Sequence, residues 1–506
     1  MRNGLRIVSS GIRIENASLV DPANSAPAME RPLYIKNGKI AATAGEDATT
    51  LDASGCVALA GGIDIHTHLI GPMAELARDV AKESGIEELA SSVSEAAKMY
   101  AAMGYTTIVD PAIYPALARK THMAARGAPI IDRCFLALLG PGSLVGEILE
   151  KGDDKELEDY IAWLVNGSGA YGLKAVNPKS SEDIRAIGRA VASLDIDHPV
   201  HLHLPDLGEG GGFRSAIDAI TALEGIEAHI AHMQFHCYEG RNGRTISRAH
   251  EIAKAVNANE NISIDVGQIV FGGTVTVSAD TKLIDRIERV TKGKVKSLDA
   301  GWGEKCKATP YTYDPSSYIN SLQWVTGLEL FLSIMDPWRV CLSTDHPNAG
   351  PFTAYPEIVK LLMDKDYRNH RLSKIHPKVI EESALKKMDR EYSLREIAII
   401  TRAGPARRLG LAGKGALQVG ADADVAIYRK GGDIMQMFIK PAWVIKGGVI
   451  VAKNGRIVKT CEGKTFYAPL STDERENAKW KERVSDYCPD GLKNFPVEKK
   501  VIDGGR

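Results

Sequence analysis

Two imidazoles, His66 and His68, stand two residues apart in Gly61-Gly-Ile-Asp-Ile-His-Thr-His, at the end of an apolar run from Val57 to Ile65. In a strand, residues i and i+2 project from one face, so both rings can reach a single metal ion. A second phrase, Leu342-Ser-Thr-Asp-His-Pro-Asn, ends another apolar run with a carboxylate, Asp345, where a barrel strand would enter its loop. Imidazole and carboxylate are the ligands expected of a hydrolytic zinc. A lone His-x-His is equally well read as two strand-end histidines bonded to backbone; the residues between the two phrases tip that balance.

Lys174, His203 and His232 fall at the ends of apolar runs between them. Alone, Lys174 reads as a lysine whose ammonium snorkels to a barrel rim. Beside histidines its charge would repel a metal, and a desolvated lysine loses its proton easily. The neutral amine can then take up carbon dioxide to give a carbamate, an anionic ligand able to bridge two metals. His201 and His203 share one face of Pro199-Val-His-Leu-His, so either can be the ligand and the other a supporting or substrate contact. His229, His232 and His236 offer a similar choice, with His232 at the expected strand end and His236 beyond it. His201, His236, His346 and Asn348 are the candidate substrate contacts. His122, His198, His250, His370 and His376 fall in helical or polar stretches, where surface or capping roles are expected.

Such a constellation can hydrolyse an amide-type C–N bond. Two metals about 3.5–4 Å apart activate a bridging water and polarise a carbonyl. Asp345 is the group placed to take the water's proton and pass it to the leaving nitrogen. No G-x-S-x-G elbow and no Gly-rich phosphate fingerprint argue for serine or nucleotide chemistry instead.

These residues need strands to hold them. Eight apolar candidates, around 59–66, 105–110, 130–138, 171–176, 199–203, 227–232, 262–267 and 339–345, alternate with helical patterns such as Ile86 to Met103 and Ser181 to Leu194. Alternation of this kind marks a parallel α/β domain, and eight strands suit a closed (β/α)8 TIM-like barrel. Short strand patterns at both chain ends, with Asn37-Gly and Asn454-Gly as hairpin turns, predict one β-sandwich built from the two ends. The expected organisation is sandwich over 1–58, barrel over 59–405, sandwich again over 406–464 and a polar extension over 465–506. The long gap 268–338 reads as an insertion at the barrel rim and a candidate wall of a substrate channel.

Composition narrows the class. The 506 residues are 44% hydrophobic with a formal net charge of −1, which gives no reason to expect nucleic acid or an anionic membrane as partner. No run of about 18 apolar residues predicts a membrane span. Seven cysteines without a C-x-x-C pair fit reduced thiols in a cytoplasm.

His66, His68, Lys174, His203, His232 and Asp345 together resemble the metal-dependent amidohydrolase superfamily, which includes dihydroorotase and hydantoinase. That resemblance implies a distorted barrel with a flanking β-sandwich, two zinc ions and a carboxylated Lys174 bridging them. A narrower likeness, over roughly 55 to 460, is to the A-type subunits of the formylmethanofuran dehydrogenase family. It is carried by Gly61-Gly-Ile-Asp-Ile-His-Thr-His-Leu-Ile-Gly-Pro, His232-Met-Gln-Phe-His-Cys-Tyr, Leu322-Gln-Trp-Val-Thr-Gly and Thr344-Asp-His-Pro-Asn-Ala-Gly-Pro-Phe. The family has an archaeal branch that joins formate to methanofuran and a bacterial formyltransferase/hydrolase branch that releases formate from formylmethanofuran. The Ala-, Arg- and Gly-rich style of the chain leans towards the bacterial branch. The resemblance implies partner subunits of the B, C and D types and methanofuran as carrier of the formyl group. A cyclic amidase of the hydantoinase or dihydroorotase type is the alternative enzyme, and a metal-free scaffold the alternative class. Arg241, Arg244 and Lys305 are candidate cationic contacts for a polyanionic substrate, set against the plainer reading of solvated loop charges.

Overall fold

The computed structural model describes residues 11–502 apart from 25–28, 141–142, 206, 208–210, 242 and 488–491. Arg6-Ile-Val, which reads as the first short strand of the N-terminal segment, and Cys488 lie outside the described residues. Eight parallel strands follow one another around a curled sheet in chain order. They are β1 Gly62–Asp64, β2 Tyr105–Ile113, β3 Asp132–Leu139, β4 Gly172–Val176, β5 Val200–His203, β6 Ala228–Ile230, β7 Ile262–Asp265 and β8 Val340–Cys341. Just past β1 and β8, Thr67 pairs in parallel with His346, so the first and last strands meet. Each of the eight apolar runs holds one strand. The runs are nearly continuous because both faces are covered, as in any parallel sheet wrapped by helices. Every residue of β2 and β3 is buried.

The wrapping helices take their faces from the sequence period. In Ser181–Ser193 the buried residues Ile184, Ile187, Ala190 and Val191 recur at threes and fours, and the Ser180 hydroxyl accepts from the Asp183 N–H to start the helix.

The chain ends form two further sheets. One holds four strands, Lys39–Ala41, Leu33–Lys36, Ile12–Glu15 and Thr49–Asp52, all from the N-terminal segment. The other has seven and mixes the ends: Val425–Arg429 pairs antiparallel with Cys56–Ala60. A shared core, including Ile14, Ile35, Leu51, Ala58, Val425, Ile427 and Ile445, joins the two sheets. Leu59 and Ala60 therefore belong to a sandwich strand and not to the first barrel strand. The apolar run is unbroken there, and Gly61 makes the crossing. A Cβ at Gly61 would meet Thr106 Oγ1 at 2.2 Å.

The insertion between β7 and β8 is an antiparallel sheet of Gly272–Ser278, Lys296–Gly301 and Glu304–Tyr313, with helices Thr281–Thr291 and Tyr318–Ser333. The C-terminal extension packs on its own barrel. Thr465–Phe466 pairs with the start of β3. Helix Glu474–Tyr487 then buries Trp480 beside Tyr160 and Trp163, and Phe495 lies against Trp163 and Trp302. The six cysteines among the described residues are free thiols. Among those residues, no helix is long and apolar enough to cross a membrane.

Candidate metal centre and active site

The carboxyl ends of the strands converge on one point. His66 and His68 follow β1, Lys174 lies in β4, His203 ends β5, His232 follows β6 and Asp345 follows β8. All six are buried. His66 Nε2 and His68 Nε2 each stand 3.3 Å from Asp345 Oδ1. These donor atoms lie close enough together to share one ion. Lys174 Nζ is 3.2 Å from His66 Nε2, and His232 Nε2 is 3.0 Å from His203 Nδ1.

The donors fit a divalent metal site. His68 Nδ1, His203 Nε2 and His232 Nδ1 are buried without a hydrogen-bond partner. A buried polar atom left so costs about 1–3 kcal/mol, and imidazole nitrogens beside a carboxylate suit zinc chemistry. Protonation favours the same role at three of the four histidines, whereas His66 is raised, against burial and Lys174, by Asp265 and Asp345. Burial pushes His68 down to about 4 and takes His203 and His232 well below the ordinary imidazole range, so their nitrogens keep free lone pairs. Burial also lowers Lys174. For Asp345 burial opposes ionisation, but His66 and His68 hold the carboxyl well below its usual range.

Backbone strain marks the same places. Asp345 (φ 46°) and His232 (φ 34°) adopt left-handed conformations uncommon for residues with a Cβ. The Asp345 N–H donates to Ser343 Oγ at 2.8 Å. Asn348 Nδ2 donates to Asp345 Oδ1 at 3.0 Å, while Asn348 Oδ1 accepts the Val277 N–H at 2.7 Å, tying the insertion to the site. Gly267 (φ +63°) gives His232 its room, because a Cβ there would stand 2.6 Å from His232 Cβ.

A cavity of about 260 Å³ opens over these groups, lined by His68, Lys174, His203, His232, Asp345 and Asn348. The insertion supplies its outer wall with Val277, Leu283, Arg286, Ile287, Tyr311 and Tyr313 among others. Three expected substrate contacts lie elsewhere. His201 is wholly buried behind His66, its Nε2 3.2 Å from His66 Nδ1. His236 is buried beside the ring of His232 and does not line the cavity. His346 faces a separate small pocket behind His68. Both His201 and His203 point into the barrel, as alternation requires, but only His203 reaches the mouth. Arg241 and Arg244 line a different groove, and the arginine that lines the cavity is Arg286, which donates to the Leu207 carbonyl at 2.7 Å. Lys305 does not line the cavity either.

Sequence reasoning missed two carboxylates. Asp265, at the end of β7, lies 3.1 Å from His66 Nδ1 and 3.2 Å from His229 Nε2, and its other oxygen accepts the His232 N–H at 2.8 Å. Burial opposes its charge, yet His66 and His229 hold it ionised far below the usual range. Asp110, in β2, accepts the N–H groups of Leu69 and Ile70 at 3.0 and 2.8 Å and so fixes the turn after His68. Burial pushes Asp110 up to about 7. Ser263 and Asp265, alternate polar residues in an otherwise apolar strand, were the available signal.

An eight-stranded barrel whose strand ends gather histidines, a lysine and an aspartate over a cavity is the architecture of a metal-dependent hydrolase of C–N bonds. The amidohydrolase family matches residues 49–458, and the chain belongs to it. Over 97% of its length the chain is 33% identical to protein FwdA of Methanocaldococcus jannaschii, covering 98% of that protein. It is 34% identical to the A component of the formyltransferase/hydrolase complex Fhc of Methylorubrum extorquens, over 96% of both. A crystal structure of the FhcABCD complex of Methylorubrum extorquens with methylofuran superposes with a TM-score of 0.91 at 32% identity, over 98% of both chains.

Proposed function

We propose that this chain is the hydrolytic A-type component of a formyltransferase/hydrolase complex, cleaving the N-formyl group of formylmethanofuran to formate and methanofuran. The observation that carries this reading is likeness over nearly the whole chain, insertion and C-terminal strap included, to one component of a complex crystallised with methylofuran. Full-length likeness to both the Fhc A component and FwdA supports a formyl carrier as substrate class. In the reverse direction the same site would join formate to the carrier amine.

His66, His68, Lys174, His203, His232 and Asp345 would hold two zinc ions, with Lys174 carboxylated on Nζ as an anionic bridging ligand. Bound there, the metals would supply an activated water and polarise the formyl carbonyl. Asp345 takes a proton from the attacking water and delivers it to the carrier nitrogen as the C–N bond breaks. The formyl carbon gains the hydroxyl oxygen, so one water is consumed for each formate and free amine released. Asn348 holds Asp345 Oδ1 during that transfer. The apolar wall of the insertion, with Leu283, Ile287 and Tyr313, excludes water from the rest of the carrier. B-, C- and D-type subunits complete the assembly, and the zinc-loaded complex works in the cytoplasm.

Formate release from N-formylmethanofuran, by zinc-loaded protein with its co-purifying partners, tests the reading. Asp345→Asn should lower kcat by about 10²–10⁴-fold, the range for losing a general acid–base group. Protein that retains zinc but releases no formate would sink the substrate assignment.

A further inference from the structure

We infer that Asp265 is the positioning residue of the centre: one carboxylate that orients the ring of His66 and fixes the backbone of His232 at once. The inference rests on the proposed reading that His66 and His232 hold metal.

The geometry is specific. His66 turns Nε2 towards Asp345 and Lys174, so its Nδ1 faces the barrel interior. Two groups stand there, Asp265 Oδ2 at 3.1 Å and His201 Nε2 at 3.2 Å. A ring that lends Nε2 to a metal carries its proton on Nδ1, and an anionic acceptor takes that proton better than a neutral imidazole. Asp265 thereby selects the tautomer of His66. The same Oδ2 is 3.2 Å from His229 Nε2, whose Nδ1 is 2.9 Å from Ser263 Oγ. A row Ser263, His229, Asp265, His66 thus crosses the barrel with every member buried. Oδ1 is occupied as well, accepting the His232 N–H at 2.8 Å where His232 adopts its left-handed conformation. One side chain on β7 sets two proposed ligands borne by the loops after β1 and β6. A carboxylate behind a ligating histidine commonly governs metal affinity by 10–100-fold.

His68 has no equivalent support. Its Nδ1 lies 3.9 Å from Asp110 Oδ1 and makes no hydrogen bond. The two histidines of the His-x-His pair are therefore held unequally, and removing Asp265 should disturb His66 first.

The test is zinc affinity of the full-length chain, measured against a competing chelator, with circular dichroism and Tm recorded on the same samples. Asp265→Asn should keep the fold and weaken zinc binding by about 10–100-fold. His229→Phe leaves the carboxylate but removes one of its neighbours, and should weaken binding less while shifting the visible absorption of the cobalt-substituted protein. A folded Asp265→Asn that binds zinc within about twofold of wild type would overturn the positioning role and leave the metal reading intact. A wild-type chain that binds no zinc would overturn both. If Asp265→Asn does not fold, His229→Phe decides: an unchanged cobalt spectrum and affinity overturns the inference, and a shifted spectrum sustains it.

Discussion

The barrel buries ionisable side chains at both ends, and the two clusters are built oppositely. At the floor, Asp132 at the start of β3 meets Lys414, Asp422, Asp424 and Lys446 from the sandwich side. Lys414 Nζ reaches Asp422 at 2.9 Å and Asp424 at 2.7 Å and also bonds Asp132. Lys446 bonds Asp424 at 2.7 Å and Asp132. The remaining oxygens of Asp132 and Asp424 accept the N–H groups of Lys464 and Gly447. At the mouth, Lys174 forms no ion pair among the described residues, and three imidazole nitrogens lack partners. Against burial, Asp424 and Asp132 drive Lys414 upward, whereas burial lowers Lys174. Three floor carboxylates lie close enough together to hold a cation, yet two ammonium groups already fill that place. Residue type alone does not separate a structural cluster from a reactive one. The state of satisfaction of each atom does.

The largest expected contrast lies between the two lysines. Lys414→Met leaves buried carboxylates undercompensated and should cost about 3–5 kcal/mol in urea unfolding. Lys174→Met replaces a buried lysine that has no ion-pair partner among the described residues by an apolar chain, and should leave the unfolding midpoint equal or higher while formate release is lost. Equal destabilisation by both variants would erase the distinction. A smaller effect sharpens it: zinc at one hundred times its Kd should stabilise the folded chain by about 2.7 kcal/mol, a gain reversed by chelator. Lys414→Met should retain that increment, because the floor takes no part in binding, and its disappearance there would couple the two ends. The smallest effect near neutrality concerns acid. Asp422 and Asp424 are depressed in the fold, against burial, by Lys39, Lys414 and Lys446. Their stabilisation is complete above the ordinary carboxylate pKa of about 4 and is lost as pH falls through the depressed values. Denaturation midpoints taken in chelator from about pH 6 to 3 should fall, and fall less in Asp424→Asn. Parallel curves would remove the floor carboxylates from the acid response.

The two ends also differ in how far they can be read from sequence. The mouth was legible because catalytic groups cluster at strand ends, so His-x-His and Thr344-Asp-His-Pro-Asn announced themselves locally. All eight barrel strands stood in their apolar runs for the same reason: burial on both faces leaves a short, continuous hydrophobic signal. The floor was invisible. Asp132 and Lys446 lie 314 residues apart, and each alone reads as an ordinary charge near a strand end. Asp265 was hidden differently, because a carboxylate inside a barrel looks like a strand-end polar residue until the ring it faces is known. His201 misled because strand alternation gives the face of a residue but not its depth along the strand. The polar C-terminal extension gave no sign that Trp480 and Phe495 would anchor it to the chain's own barrel.

The pairing of Cys56–Ala60 with Val425–Arg429 has a consequence for how this protein is made. The partner strand emerges from the ribosome roughly 365 residues later, which is about 20–70 s at 5–20 residues per second. For that interval a wholly apolar strand, Cys-Val-Ala-Leu-Ala, has one unpaired edge beside a nascent barrel that already carries its first two histidines. Biosynthesis of this chain therefore includes a waiting period in which a chaperone must keep that edge from a neighbouring polypeptide, because the short strand Ser18–Leu19 covers only the opposite edge.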